Sequence, residues 1–306
     1  YYHVYALDFF HFHHSLEALP PNHLPVLERM GRFLQALLGE AGEIPFLGDD
    51  DGGRLYHPYA NHSAFGRHTL ARLWPVDPPP LSAAPSHFPD CGLVFLANED
   101  VQILFDAGPF ARGSAGHSHA DSLSIVARRR NEEILIDPGT YTYVADPSAR
   151  DLFRSSAMHN TVRLNGLDQA TPAGPFRWLH PPEVRLLSTS SGFAFAECKF
   201  QGFVHQRRLQ WECDTQRLIV EDTLSGPPGT HHVEQFWHLA SPAAQARLLV
   251  ESPPGFALAP RADLSFRSRA FGLRESAPAL VHQGHATLPL TLRTEIHLGS
   301  DAKIHS

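Results

Sequence analysis

The chain has 306 residues, 42% hydrophobic and 19% charged, enough for one large domain or two smaller ones with apolar cores. A formal net charge of -7 with histidine neutral excludes a general nucleic-acid surface, although a local cleft in an acidic protein can still attract an anion. No apolar run reaches the length of a membrane-spanning helix, and three cysteines without CxxC spacing (Cys91, Cys198, Cys213) exclude a disulfide framework and a cysteine zinc site.

In chain order, Tyr2 to Leu19 and Leu24 to Leu38 read as helices. The second carries an apolar stripe of Leu27, Met30, Leu34, Leu37 and Leu38, with Pro25 near its start and Gly39 just past its end. Two such helices bury little by themselves, so they are expected to be the last part of a larger helical domain whose beginning lies upstream of Tyr1. The segment Gly48-Asp49-Asp50-Asp51-Gly52-Gly53-Arg54 has the composition of a solvated acidic turn and lacks the alternation of an EF-hand loop; it is expected to be a structural loop near the domain interface. A third helix is expected from Asn61 to Leu73. Pro75, Pro78-Pro79-Pro80, Pro85 and Pro89 then make a stiff linker. The chain divides into a helical part (1–74), a linker (75–90) and a β-rich part (91–306).

Beyond the linker the pattern turns to short strands: Leu93 to Ala97, Val101 to Phe105, Ser122 to Arg128, Ile134 to Asp137 and Thr161 to Leu164. Glu183 to Leu187, Phe193 to Phe200, Val204 to Trp211, Arg217 to Asp222 and His232 to Leu239 continue it, followed by Ala246 to Glu251, Leu264 to Arg269 and Leu290 to Leu298. Many short strands separated by turns predict an antiparallel sandwich or barrel. The fold class is mostly β with an N-terminal α segment.

Histidine is the commonest metal ligand, and the chain holds 21 of them, so position must decide which matter. The densest cluster is Gly113-Ser114-Ala115-Gly116-His117-Ser118-His119-Ala120-Asp121. If extended, it places His117, His119 and Asp121 on one face. Asp137 ends the apolar run Ile134-Leu135-Ile136, where a carboxylate needs a partner, and His159 precedes the strand at Thr161. Two imidazoles and a carboxylate suit Zn²⁺ with an open fourth position. A hairpin turning near Asn131 would set Asp137 opposite Ile125, so the segment before Ser122 must fold back for His119 and Asp137 to meet.

The blocks Gly116 to Ser124, Asp137-Pro138-Gly139-Thr140-Tyr141, Arg154 and His159-Asn160-Thr161-Val162 resemble the core signature of heparinase II/III-like proteins. These are polysaccharide lyases with an (α/α) toroid followed by a large antiparallel β-sandwich of two sheets. The resemblance spans roughly residues 1 to 240 and is densest from Phe105 to Gln169. By position it implies His119, Asp137 and His159 as zinc ligands and His117 as the active-site histidine. The start, Tyr1-Tyr2-His3-Val4-Tyr5, is similar to the end of the toroid motif that supplies a catalytic tyrosine. Tyr2 is the choice, with Tyr1 and Tyr5 as alternatives, and Tyr143 is similar to a second active-site tyrosine. Arg54 and Arg154 are read as substrate contacts; His205 and Arg207 are read as structural first and cleft-lining second.

The resemblance further implies β-elimination at a uronic acid in an anionic polysaccharide, Zn²⁺ as cofactor and a bacterial periplasmic or secreted setting. The family's carboxylate-neutralising Asn or His would lie upstream of Tyr1. Three other readings stay open: a glycoside hydrolase using carboxylates among Asp49 to Asp51 with Asp121, a non-catalytic zinc-stabilised carbohydrate-binding sandwich, and a cupin-like oxygenase. For a cupin the separation of His119 and Asp137 is wide. The identity of the polymer stays open among glucuronan, alginate, glycosaminoglycans and bacterial exopolysaccharides.

Overall fold

A computed structural model describes residues 1–17, 20–56, 62–74 and 86–299. Its helical part holds α1 (Tyr2–Leu16), α2 (Leu24–Leu38) and α3 (His62–Leu73). The stripe of α2 is what buries: Leu27, Leu34 and Leu38 pack with Val4, Leu7, Ile44 and Phe65. Asp8 is buried on α1, and Thr69 Oγ1 and Arg72 Nη1 of α3 donate to it at 2.8 and 3.4 Å, which offsets its desolvation. An outer face of α1 with Phe9, Phe10, Phe12 and Leu16 stays 41–74% exposed, uncovered by α2 and α3. Among the described residues no helix is long and apolar enough to cross a membrane.

The end of α2 is fastened to the β part. Helix C-termini leave carbonyls unpaired, and here Arg128 fills that need. Its guanidinium donates to the carbonyls of Leu37, Leu38 and Glu43, while Gln102 Nε2 donates to Ala36 O at 2.6 Å. Ala36 and Leu37 also pack on Leu93, Phe95 and Leu104.

The β part is an antiparallel sandwich. One sheet is a meander of five strands: His87–Phe88, Leu93–Ala97, Val101–Asp106, Ile125–Arg129 and Glu132–Leu135. A bridge between Leu135 and Leu239 joins its edge to a four-stranded sheet, ordered Ala257–Pro260, Ala279–Thr287, Thr230–His238 and Val162–Leu164. Facing both is a six-stranded sheet, ordered Leu248–Glu251, Leu290–His297, Arg217–Ser225, Phe203–Glu212, Phe193–Phe200 and Glu183–Ser190. One apolar core draws on all three sheets, including Ile103, Phe105, Leu135, Trp237, Leu280, Leu209 and Leu218. Its central strands alternate inward and outward as the pleat requires.

Most expected elements are present, with shifted ends. The first strand, His87–Phe88, falls inside the stretch read as linker and pairs with Leu93 and Val94. Residues 75–85 of that linker lie outside the described residues, as do Ala18, Leu19 and Asn61. Strand character starts at Ile125 rather than Ser122, because Asp121 to Ser124 form a turn closed by Ser124 N donating to Asp121 O at 2.9 Å. The sequence reading passed over Ala257–Pro260, Leu273–Ser276 and Ala279–Thr287. In the last, Gly284 and two histidines obscure the pattern. A Cβ at Gly284 would stand 2.4 Å from Phe256 Cδ2, so the glycine marks a close approach inside a strand. A short helix α4 (Pro147–Phe153) was also unanticipated, although Asp146 caps it through Ala149 N and Pro147 occupies its first turn.

Candidate active site and metal centre

The histidine-rich segment is not an extended strand. Gly113 to Asp121 is a series of turns that folds back, pinned by Ala120 N donating to Arg154 O, Ser156 Oγ to Ala120 O and Trp178 Nε1 to Ser118 O. This folding separates two histidines that an extended strand would align. The side chain of His119 is fully buried, while that of His117 is 54% exposed.

His119, Asp121 and His159 form a buried group whose ligand atoms all lie within 4.8 Å of one another. One nitrogen of each ring is occupied: His119 Nε2 lies 2.9 Å from Asp49 Oδ1, and His159 Nδ1 lies 2.8 Å from Asp137 Oδ2. The other nitrogen of each, His119 Nδ1 and His159 Nε2, is buried without a hydrogen-bond partner among the described residues. Orphaned polar atoms at such a position are costly unless something satisfies them. Burial pushes the Asp121 carboxyl up to about 8; His159 opposes this, and Asp106 and Asp137 add to it. A cation would reverse that difficulty. Two nitrogens and one carboxylate, each ring backed by another carboxylate, fit a zinc ion. Asp137, read from sequence as the carboxylate ligand, is buried in the same cluster, 2.8 Å from His159 Nδ1, and accepts from Gly139 N at 2.8 Å. A cavity of about 230 Å³, lined in part by Cys91, Asp106 and Phe110, reaches His119 and Asp121.

Three rings from separate elements meet beside this group. Tyr2, in the first turn of α1, has its hydroxyl 2.9 Å from that of Tyr143, and it donates to Asp51 Oδ2 at 3.2 Å. Its ring lies 4.4 Å from His117 between centroids. Phe176 and Phe271, both partly exposed, flank Tyr143 at 5.1 and 4.9 Å. Tyr1 stacks on Tyr5 and tilts against Phe65, so its ring packs the helices. Burial raises the Tyr2 hydroxyl; the bond from Tyr143 opposes this and Asp51 adds to it, leaving it at about 12. Burial and the bond to Tyr2 also raise Tyr143. Both are therefore phenols, able to give a proton, at neutral pH.

Asp49 ties the two clusters together, within the segment expected as a structural loop near the domain interface. Against the burial that would raise it, bonds from His119 and Arg150 hold its carboxyl far below the usual range. Arg150, on α4 and also missed, donates through Nη1 to Oδ1 and through Nη2 to Oδ2, the latter at 2.7 Å. His117 Nδ1 lies 3.1 Å from Oδ2. Gly48, at φ +60°, permits this approach, since a Cβ there would stand 2.8 Å from His117 O. In the sequence a glycine opens an acidic run, which marks a turn but does not say which of its three acids faces the histidines.

Arg154, read as a substrate contact, and His205 and Arg207, read as structural first and cleft-lining second, all lie in the interior. Arg154 is fully buried; it donates to Asp151 Oδ1 and to the carbonyls of Gly174 and Pro175, and lies over Trp178. His205 and Arg207 are fully buried between the sheets, where both bond Asp222. None of the three presents a surface to a sugar. Arg54 keeps a partly open face, with its guanidinium over Phe65.

Residues 80–294 match the family described as heparinase II/III-like, C-terminal. The chain belongs to this family. Solved structures agree in fold with the heparinase II/III-like chain. A heparinase III gene product with methylated lysines superposes with a TM-score of 0.74 at 15% identity, covering 99% of this chain and 51% of its own. A heparan sulfate lyase mutant from Pedobacter heparinus gives 0.70 at 15%, with 98% and 52% covered. Another heparinase III gives 0.72 at 12%, with 98% and 54%. The chain thus spans about half the length of these structures. No curated protein matches its sequence.

Proposed function

We propose that this chain is part of a lyase that cleaves a uronic-acid-containing polysaccharide by β-elimination, with zinc held by His119, Asp121 and His159. The observation that carries the reading is the meeting of Tyr2, His117 and Tyr143 beside the orphaned ring nitrogens of His119 and His159. Elimination needs a base at C5 and an acid at the leaving oxygen. Tyr2 is a phenol held high, which suits the acid. His117 turns Nδ1 toward Asp49, which leaves Nε2 to act as base. His117 Nε2 takes the C5 proton, the electron pair forms C4=C5, the C4–O bond breaks, and the leaving oxygen takes the proton of Tyr2. Tyr143 is placed to hand a proton back to Tyr2. Phe176 and Phe271 offer apolar faces on which a sugar ring can lie. When bound, zinc supplies a fixed positive charge that keeps the loop of His119 in shape.

The hydrolase alternative is disfavoured by Asp49. Its carboxylate is taken up by Arg150 and two histidines, which leaves it unfit as a general acid. The test uses the full-length zinc-loaded protein on a panel of uronate polymers, following the ultraviolet absorbance of the unsaturated product. Appearance of new chain ends without that absorbance would mean hydrolysis. No cleavage of any uronate polymer would leave only the fold.

The metal reading carries its own expectation. Stripping the ion with a chelator should lower the melting temperature by roughly 5–10 °C, as expected for a ligand present at about a hundredfold over its dissociation constant. Differential scanning calorimetry with elemental analysis checks this. Freshly purified protein free of zinc, with a melting temperature indifferent to chelator and to added zinc, would refute it.

A further inference from the structure

The carboxylate of Asp49 is a pure acceptor, because both of its oxygens take guanidinium N–H groups from Arg150. Any imidazole nitrogen within hydrogen-bond distance of it must then carry a proton. Two do: His119 Nε2 at 2.9 Å on Oδ1 and His117 Nδ1 at 3.1 Å on Oδ2. We propose that Asp49 is a positioning residue that fixes the tautomers of both histidines at once. It leaves His119 Nδ1 bare toward the metal group and His117 Nε2 bare on the ring that packs against Tyr2. The inference deepens the proposed function, since it takes His117 as the base and His119 as a metal ligand.

The chain of causes is short. A neutral imidazole has one N–H and one lone pair, and the partner of the first decides where the second lies. Asp49 reaches both rings because Asp49 N donates to His117 O at 3.1 Å, which docks its loop alongside the histidine segment. Each oxygen serves one ring and one arm of Arg150, and Oδ1 also accepts from Thr140 Oγ1 at 3.4 Å, so the carboxylate cannot turn to favour one histidine without loosening the other. The order at the metal ligand and at the base is thereby shared through a single side chain. An amide at this position offers one acceptor oxygen, and its NH₂ group faces Arg150 or a ring N–H.

The experiment is long-range ¹H–¹⁵N correlation spectroscopy on full-length zinc-loaded protein labelled at histidine, with His117 assigned through His117→Gln. The expected result is a single Nδ1–H tautomer for His117 and a single Nε2–H tautomer for His119. In Asp49→Asn, His117 should show mixed tautomers, and zinc affinity by chelator competition should fall about 10–100-fold. A wild-type His117 protonated at Nε2, or a wild-type His119 protonated at Nδ1, overturns the proposal. So does an Asp49→Asn protein that keeps the His117 tautomer and a zinc affinity within about twofold of wild type. Should Asp49→Asn fail to fold, the wild-type spectra decide. Neither readout needs turnover, so a protein that cleaves no uronate polymer would still answer the question.

Discussion

Tyr2→Phe is expected to lower turnover of a uronate polymer about 10³-fold, within the range that a positioned proton donor contributes, with little change in KM. The phenyl ring keeps its contact with His117, so the site retains its shape. What disappears is the hydroxyl shared with Tyr143 and Asp51, and with it the proton for the leaving oxygen. Initial rates from product absorbance separate kcat from KM. Tyr1→Phe serves as comparison: its ring packs against Tyr5 and Phe65, and its hydroxyl has no partner among the described residues, so turnover should stay within about twofold. A Tyr2→Phe enzyme of nearly normal turnover would take the acid role away from Tyr2.

Arg207→Met should destabilise the sandwich by about 3–5 kcal/mol, the range for removing one partner of a buried ion pair. Asp222 would remain buried with His205 and Gln235 as its donors among the described residues. The carbonyls of Leu123 and Asn160, both served by Arg207 Nη1, would lose that donor as well. The double variant Arg207→Met/Asp222→Leu should recover part of the loss but not all, because those two carbonyls are still orphaned. Against the burial that would raise it, Arg207 and His205 hold the Asp222 carboxyl below its ordinary range. Its stabilising contribution is therefore fully present above the unfolded value of about 4 and is lost as pH falls through the lower folded value. Urea unfolding at neutral pH and near pH 3 measures both effects; a loss under about 1 kcal/mol at neutral pH would mean that water relieves the interior.

The same pair shows how far the sequence reaches. Alternation along Phe203–Glu212 told correctly that His205 and Arg207 share a face. It did not tell which face, because charged residues suggest solvent, and here a carboxylate from the neighbouring strand makes an interior position tolerable. Helix α2 was legible because its leucines repeat at the helical period and its proline and glycine mark the ends. His119 and His159 are legible as parts of a motif, and Asp137 stands out because it ends an apolar strand and meets His159. Asp121 is legible as a neighbour of His119, but its approach to His159 comes from a fold-back that no periodicity records. Asp49 was hidden for another reason: its bonds reach His117 and His119 across 68 and 70 positions, a separation only the packed chain resolves.

The grip of Arg128 on the last carbonyls of α2 bears on how the polymer of the proposed reaction would enter. Rocking the helices off the sheet would strip several hydrogen bonds from one charged donor, each worth about 1.5–3 kcal/mol. That cost argues against a hinged jaw. On the proposed reading, whatever yielding a long sugar requires would come from elsewhere, such as the partly exposed Phe176 and Phe271 beside Tyr143.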